Sequence, residues 1–184
     1  MNKPIRIETD RLILRDFVPG DLKALHEYAI HPKVWRFTSS GPNRLAQTRS
    51  WLKMVQKFSR KKPRKNFDFA IILKSENRLI GDCGIHIGST AKREAGMAYG
   101  LNPKYWGQGY ATEASKALVE FGFLKLKLHR IWAWCDVRNT ASTKVLRKAG
   151  MIREGLFRKD VHDTGTWRDS YIYAILETDS QRRH

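Results

Sequence analysis

A change of period near the middle of the chain restricts its folds more than any other feature. Glu94 to Leu101 reads as a strand, weakened by Gly96 and Gly100, that stops at Asn102-Pro103. After Gly107-Gln108-Gly109 the apolar residues recur at helical spacing, with Ala111, Ala114, Leu118, Phe121 and Leu124 on one face. His129 to Val137 then reads as a strand again. Strand, helix, strand in that order is a crossover, so these two strands are expected to run parallel.

The flanking segments have other patterns. Ile5 to Phe17 alternates as strand, and Pro19-Gly20-Asp21 is a turn, with Asp21 as N-cap of a helix carrying Leu22, Leu25, Tyr28 and Ala29. A second helix is expected from about Arg44 to Phe58. Phe67 to Leu73 and Leu79 to Ile87 form a hairpin through Ser75-Glu76-Asn77. Thr140 to Lys148 reads as a helix ended by Gly150. Two last strands, about Met151 to Asp160 and Trp167 to Leu176, turn at Asp163-Thr164-Gly165. The order specifies an α+β fold in a single domain over residues 1–184: a mixed, mostly antiparallel sheet with about four helices.

At 184 residues the chain is long enough to bury a core without staples. No run approaches the ~18 apolar residues of a membrane helix, and no apolar stretch follows the charges of Met1 to Arg6. Cys83 and Cys135 sit in apolar strands, which fits reduced core cysteines in a cytoplasmic protein. Two lone cysteines and scattered histidines do not make a zinc site, so no metal is expected.

Lys and Arg number 35 against 18 Asp and Glu, a net charge of +17. The excess is uneven: no acid lies between Glu27 and Asp68, a span that holds Lys33, Arg36, Arg44, Arg49, Lys53, Lys57 and the run Arg60-Lys61-Lys62-Pro63-Arg64-Lys65. That run reads as an exposed loop. It is either a solvated surface or a dock for something acidic: RNA, the ribosome, an acidic protein or a polyanionic cofactor.

Gly107-Gln108-Gly109 stands just before a helix, where free N–H groups and the dipole favour an anion. A dinucleotide fold would want a third glycine where Thr112 stands, and no P-loop pattern occurs anywhere in the chain. The segment Gly96 to Ala114 (GMAYGLNPKYWGQGYATEA) instead resembles the acyl-CoA motif of the GNAT superfamily of N-acetyltransferases. His129-Arg130-Ile131, Asn139-Thr140-Ala141-Ser142 and Leu146-Arg147-Lys148-Ala149-Gly150-Met151 resemble that family's second block. Ile7-Glu8-Thr9-Asp10-Arg11-Leu12-Ile13-Leu14-Arg15 and Arg168-Asp169-Ser170 resemble its ribosomal-protein (RimJ/RimL-type) branch. Lys104 departs from the Gln or Arg usual three residues before the first glycine.

The resemblance implies acetyl-CoA as cosubstrate, bound where two parallel strands splay. Its pantetheine would pair with backbone at Tyr99 and Leu101. Its pyrophosphate would sit on amides of Trp106, Gly107, Gln108, Gly109, Tyr110 and Ala111, with Asn139 and Ser142 facing the cofactor. A backbone N–H near Leu101 would stabilise the oxyanion, and Ser142 would protonate the leaving thiolate. For the base, the aligned position holds Val161. Asp160 is adjacent but is expected to face the other way by strand alternation, and His86 is a second candidate; a solvent-relayed proton stands equal to both. Trp35 and Phe37 either line the acceptor channel or belong to the core. Three functions stay open: acetylation of a protein N-terminal amine on an acidic or ribosomal target, acetylation of a small amine such as an antibiotic or metabolite, or a non-catalytic ribosome- or RNA-binding module. The first is favoured because a cationic wall concentrates acidic acceptors. A monomer and a homodimer are both compatible with the sequence.

Overall fold

The computed structural model of the protein describes residues 4–38, 41–163 and 165–181. Eight strands form one sheet in the order β1-β2-β3-β4-β5-β6-β8-β7. The first alternating segment divides into β1 (Arg6–Glu8) and β2 (Leu12–Asp16), because the chain turns at Thr9, whose N–H bonds the Leu12 carbonyl at 3.0 Å. The meander β3 (Asn66–Leu73), β4 (Arg78–Ser89) and β5 (Glu94–Leu101) is antiparallel throughout. Helix α4 (Tyr110–Leu124) carries the chain over to β6 (Arg130–Asp136), which pairs parallel to β5 as the crossover requires. Helix α5 (Thr140–Lys148) leads to the hairpin β7 (Ile152–Asp163) and β8 (Thr166–Leu176), with β8 placed beside β6. Thr164, in the expected turn, lies outside the described residues, as does the side chain of Asp163.

Two cores sandwich the sheet. On one face α4 buries Ala114 and Leu118 against Phe69, Ile85 and Ile131, and Phe121 meets Phe67 and Phe69 edge-on at 5.6 Å each. On the other, α1 (Leu22–Ala29) and α3 (Leu45–Ser59) lay Leu25, Tyr28, Leu52 and Val55 over Ala70, Ile72 and Leu79. These two helices cover the β2–β4 part of that face. Beyond it, Trp134, Ile152 and Phe157 are exposed. Two short helices, α2 (Pro32–Trp35) and α6 (Glu177–Gln181), complete the fold.

Four local expectations are resolved by the structure. Gly150, at φ +97°, closes α5 with Met151 N–H on the Leu146 carbonyl at 3.0 Å, the six-to-one bond of a Schellman end. Asp21 does not cap α1: its carboxylate is held bidentate by Arg15 at 2.8 Å and accepts the Val18 N–H, so it fixes the preceding turn instead. Leu124, the last residue of α4, is exposed although its spacing put it on the packed face. Both cysteines are buried and free.

Candidate active site

The parallel pair is short. Glu94, Ala95 and Gly96 face Arg130, Ile131 and Trp132, and after these three positions the register ends. Beyond them β5 stays bound to β4 as far as Leu101, and β6 stays bound to β8 as far as Asp136. The sheet therefore splits between the C-terminal halves of β5 and β6. Asn102 N–H bonds back to Ile80 on β4 at 2.8 Å, and strand alternation then turns the amides of Tyr99 and Leu101 the opposite way, into the split. The Leu101 carbonyl accepts the Trp106 indole N–H at 2.9 Å, and the pairing with β6 ends before Tyr99 and Leu101, whose N–H groups have no partner across the split among the described residues.

The expected anion site is built at the mouth of this split. Gly107 and Gly109 have φ of +75° and +85°, conformations that side-chain-bearing residues avoid. A Cβ on Gly107 would touch nothing within 4 Å, so its glycine is required by backbone shape and not by space. Among the described residues no protein acceptor takes the N–H groups of residues 107–112; the first α4 bond is Glu113 N–H to Gly109. This row of free donors at a helix start suits a phosphate or pyrophosphate.

One partner of the loop escaped the sequence reading. Glu113 accepts the Thr9 hydroxyl at 2.6 Å, the Arg11 N–H at 2.9 Å and Arg11 Nε at 2.7 Å. Arg11 also donates Nη1 to the Gln108 carbonyl at 3.0 Å and lies 4.5 Å from the centre of the Tyr110 ring. The β1–β2 turn thereby clamps the glycine loop and the first turn of α4. These contacts hold the Glu113 carboxyl below the usual range despite its partial burial. Lys104, by contrast, reaches Glu27 at 3.5 Å and not the loop.

Across the split, Asn139 caps α5 by accepting the Ser142 N–H at 3.0 Å. Ser142 Oγ lies 2.7 Å from the Tyr99 hydroxyl, which also donates to the Ser142 carbonyl at 3.3 Å, so Tyr99 joins β5 to α5 over the gap. Burial pushes the Tyr99 hydroxyl pKa well up, so it remains protonated and able to donate. Sequence reasoning named Tyr99 only for its backbone; its hydroxyl is a second candidate proton source next to Ser142.

The aromatic pair divides. Trp35 is half-buried and donates its indole N–H to the Ala29 carbonyl at 2.7 Å, a bond that holds α2 against the end of α1. Phe37 is half-buried with the Arg36 and Arg138 guanidinium groups at 5.1 and 5.9 Å from its ring. Arg138 pairs with Asp136 at the end of β6, and Arg168 donates to the Thr38 carbonyl at 2.8 Å. These contacts bring Phe37 to the open end of the split and leave it out of both cores.

Of the two expected bases, His86 stands away from the open end. His86 lies opposite Gly96, where β5 and β6 are still paired, and Asp68 holds its Nε2 at 2.7 Å. That hydrogen bond raises the His86 pKa, which leaves the imidazole protonated to higher pH and weak as a proton acceptor. Asp160 is exposed inside a bulge of β7 between Phe157 and Val161, beside Lys159 at φ +53°. The bulge breaks the two-residue alternation by which its direction was expected.

Asp82 was missed, although an acid within the apolar run Leu79-Ile80-Gly81-Asp82-Cys83-Gly84-Ile85 was the signal for it. It pairs with Gly100 across β4 and β5, and its Oδ1 accepts the Tyr28 hydroxyl at 2.5 Å. Burial raises its pKa to about 6, with the nearby Asp68 charge acting the same way and the Tyr28 bond opposing.

A groove of about 720 Å³ opens between α1 and the β2–β4 strands, lined by Arg15, Asp21, His26, Ile72 and Arg78 among others. None of its lining residues lies on β5, β6, α4 or α5, so it is separate from the split. No group of three metal-ligating side chains occurs among the described residues.

Residues 11–152 match the family model described as the acetyltransferase (GNAT) domain. The N-acetyltransferase YnaD of Bacillus subtilis is 33% identical over 94% of this chain and 98% of its own length. A crystal structure of a GNAT-family acetyltransferase from Bacillus anthracis is 36% identical, covers 95% of this chain and 99% of its own, and superposes with a TM-score of 0.84. More distant relatives differ in what they act on. The spermidine N(1)-acetyltransferase of Escherichia coli is 27% identical over 60% of this chain and 64% of its own. The ribosomal L7/L12 alpha-N-protein acetyltransferase RimL, solved in complex with coenzyme A, shares the fold: it is 20% identical, covers 94% of this chain and 98% of its own, and has a TM-score of 0.83.

Proposed function

This chain belongs to the GNAT acetyltransferase family, and from that premise we propose that it binds acetyl-CoA in the split between β5 and β6 and acetylates the N-terminal α-amine of an acidic or ribosomal protein. The observation that carries the reading is the split itself. Among the described residues it offers two strand amides without a partner, at Tyr99 and Leu101, followed along the chain by six more at residues 107–112. A pantetheine arm with amide groups suits the former, and a pyrophosphate suits the latter. The coenzyme A bound by a distant structural relative agrees with this use of the fold.

In the reaction a neutral amine attacks the thioester carbonyl carbon. Negative charge develops on the carbonyl oxygen, and the Leu101 N–H stabilises it from the split. The C–S bond then breaks. The thiolate takes a proton from Ser142, whose hydroxyl is refilled by Tyr99 across their 2.7 Å hydrogen bond. The clamp of Thr9, Arg11 and Glu113 holds the phosphate-binding loop in shape and takes no chemical part.

The acceptor assignment rests on charge. In the acid-free stretch only Arg64 has an ion-pair partner among the described residues, Asp16 at 2.7 Å. Arg49, Lys53 and Lys57 are exposed at four-residue spacing along α3, next to the basic loop. Such a wall attracts an acidic protein and repels a polycation. The spermidine-acetylating relative supports the second reading, a small-amine acceptor. The test is acetyl transfer from acetyl-CoA to acidic N-terminal peptides against a panel of polyamines and antibiotic amines. Peptide turnover with its product amide at the α-nitrogen supports the first reading. Rapid turnover of one small amine with untouched peptides overturns it.

A further inference from the structure

Resting on the acetyltransferase reading, the geometry points to Asp82 as the group that takes the proton from the acceptor amine. Three observations place it there. First, Asp82 faces Gly100 across the β4–β5 ladder, and Gly100 lies between Tyr99 and Leu101, the two residues whose amides open into the split. Second, Gly100 clears the way for the carboxylate: a Cβ at that position would come within 3.2 Å of Asp82 Oδ1. Third, the carboxylate is held by one oxygen only. Oδ1 accepts the Tyr28 hydroxyl at 2.5 Å, while Oδ2 has no partner among the described residues. Tyr28 is buried at 4% exposure, and burial with the Asp82 charge beside it drives its own pKa far up, so Tyr28 stays a donor and leaves Asp82 to accept.

The charged groups facing this carboxylate are few. Asp68 on β3 adds negative charge, and its own partner is His86 on β4. Tyr28 represents α1. On β5 the facing positions are Gly100 and Ala98, which carry no charge. The site is therefore locally anionic within a cationic surround, which suits one ammonium group at the tip of an acidic acceptor.

Protons and charge balance through the step. The ammonium R–NH3+ gives one proton to Asp82 Oδ2, leaving a neutral amine and a carboxylic acid. The amine lone pair forms the C–N bond, and the C–S bond breaks. The nitrogen's second proton leaves as the amide forms, the thiolate receives one through Ser142, and Asp82 returns its proton to water. The net products are the amide, the free thiol and one proton.

The experiment is steady-state kinetics and a pH profile for the full chain carrying Asp82→Asn, with Tyr28→Phe alongside. For Asp82→Asn, kcat should fall by roughly 100-fold or more, with an unchanged KM for acetyl-CoA and an unchanged thermal shift with coenzyme A. The acidic limb of kcat/KM near pH 6 should disappear. Tyr28→Phe keeps the carboxylate but removes the hydrogen bond that holds its pKa down, so that limb should move to higher pH. Retained activity and pH profile in Asp82→Asn, with a parent that acetylates normally, overturns the assignment. A parent that acetylates no amine at all defeats instead the reading on which it rests. If Asp82→Asn loses the coenzyme thermal shift, the residue is structural and the proposal fails.

Discussion

Replacement of Gly107 by valine tests the central claim, that the loop binds phosphate through backbone shape. No atom lies within 4 Å of a Cβ built there, so the substitution costs nothing in packing. Its whole effect comes from φ of +75°, where a side-chain-bearing residue loses about 2 kcal/mol. In the free enzyme the exposed loop relaxes and little of this appears in Tm. Bound coenzyme must restore the left-handed turn, so about 2 kcal/mol comes out of its affinity, a factor of roughly 30. At a concentration of ~100 parental Kd the ligand stabilises the parent by about 2.7 kcal/mol, or a Tm rise of about 5–11 °C for a domain of this size. The same concentration is only ~3 Kd for the variant, worth about 0.9 kcal/mol and a rise of about 2–4 °C. Differential scanning fluorimetry with and without coenzyme A reads both numbers. Gly107→Asn supplies the control, since Asn visits the left-handed region and should fall between Gly and Val although it is larger than Ala. An Asn variant that binds worse than Gly107→Ala would show that size governs the site, and the backbone argument would be wrong.

Four further outcomes follow from the geometry. Arg11→Ala removes the link from the β1–β2 turn to both Glu113 and the Gln108 carbonyl, and should raise KM for acetyl-CoA about tenfold with kcat nearly unchanged, as steady-state kinetics will read. Tyr99→Phe and Ser142→Ala should each lower kcat more than KM. Because their hydroxyls are hydrogen-bonded to each other, the double variant should lose little more than the worse single one. Asp82→Asn should be more stable than the parent above pH 6. The folded pKa of about 6 lies above the unfolded value near 4, so the contribution of this group is complete below about pH 4 and is lost as pH rises through 6, on the order of 2 kcal/mol that the neutral amide does not lose; urea titrations at pH 4 and 8 would show the two proteins converging at the acid end. Finally, Gln at Arg49, Lys53 and Lys57 together should leave Tm almost unmoved while raising KM for an acidic peptide and flattening its salt dependence, with small neutral acceptors unaffected.

What the sequence made legible was whatever depends on period and on backbone. The crossover from Glu94 through α4 to Arg130 followed from a switch between two-residue and 3.6-residue repeats, and the parallel pair appears where that switch put it. Gly107 and Gly109 were legible for the same reason, because positive φ leaves a signature in residue type. The length of the parallel pairing was not legible. Nothing in the residues 97–101 or 133–136 says that the two strands part after Gly96 and Trp132; that is set by β8 drawing β6 away along its full length while β4 keeps β5. Side-chain pairs distant in sequence were lost as well. Glu113 meets Thr9 from 104 residues away and Asp82 meets Tyr28 from 54; Glu113 alone looks like an ordinary helix residue, and the apolar run around Asp82 marks the acid without naming its partner. Asp21 was misjudged through the same blindness, since a helix-start aspartate reads as a cap until Arg15 is seen to hold it.

The charges of the protein act at two ranges, and this reconciles the basic wall with the role proposed for Asp82. Screening limits the reach of the exposed cations on α3 and the loop to about 8–10 Å, enough to enrich an acidic chain near the surface but too coarse to place one nitrogen. Asp82 works in the opposite way. Half-buried beside Tyr28 and facing the uncharged Gly100 and Ala98, it is partly shielded from solvent, so its charge acts more strongly over a few ångströms than those of the exposed cations. On the proposed reading a polyamine is disfavoured on approach by the basic wall, whereas an acidic peptide brings one ammonium on an otherwise negative body. An acceptor with both features gains from both ranges at once, which favours a chain terminus over a free polycation.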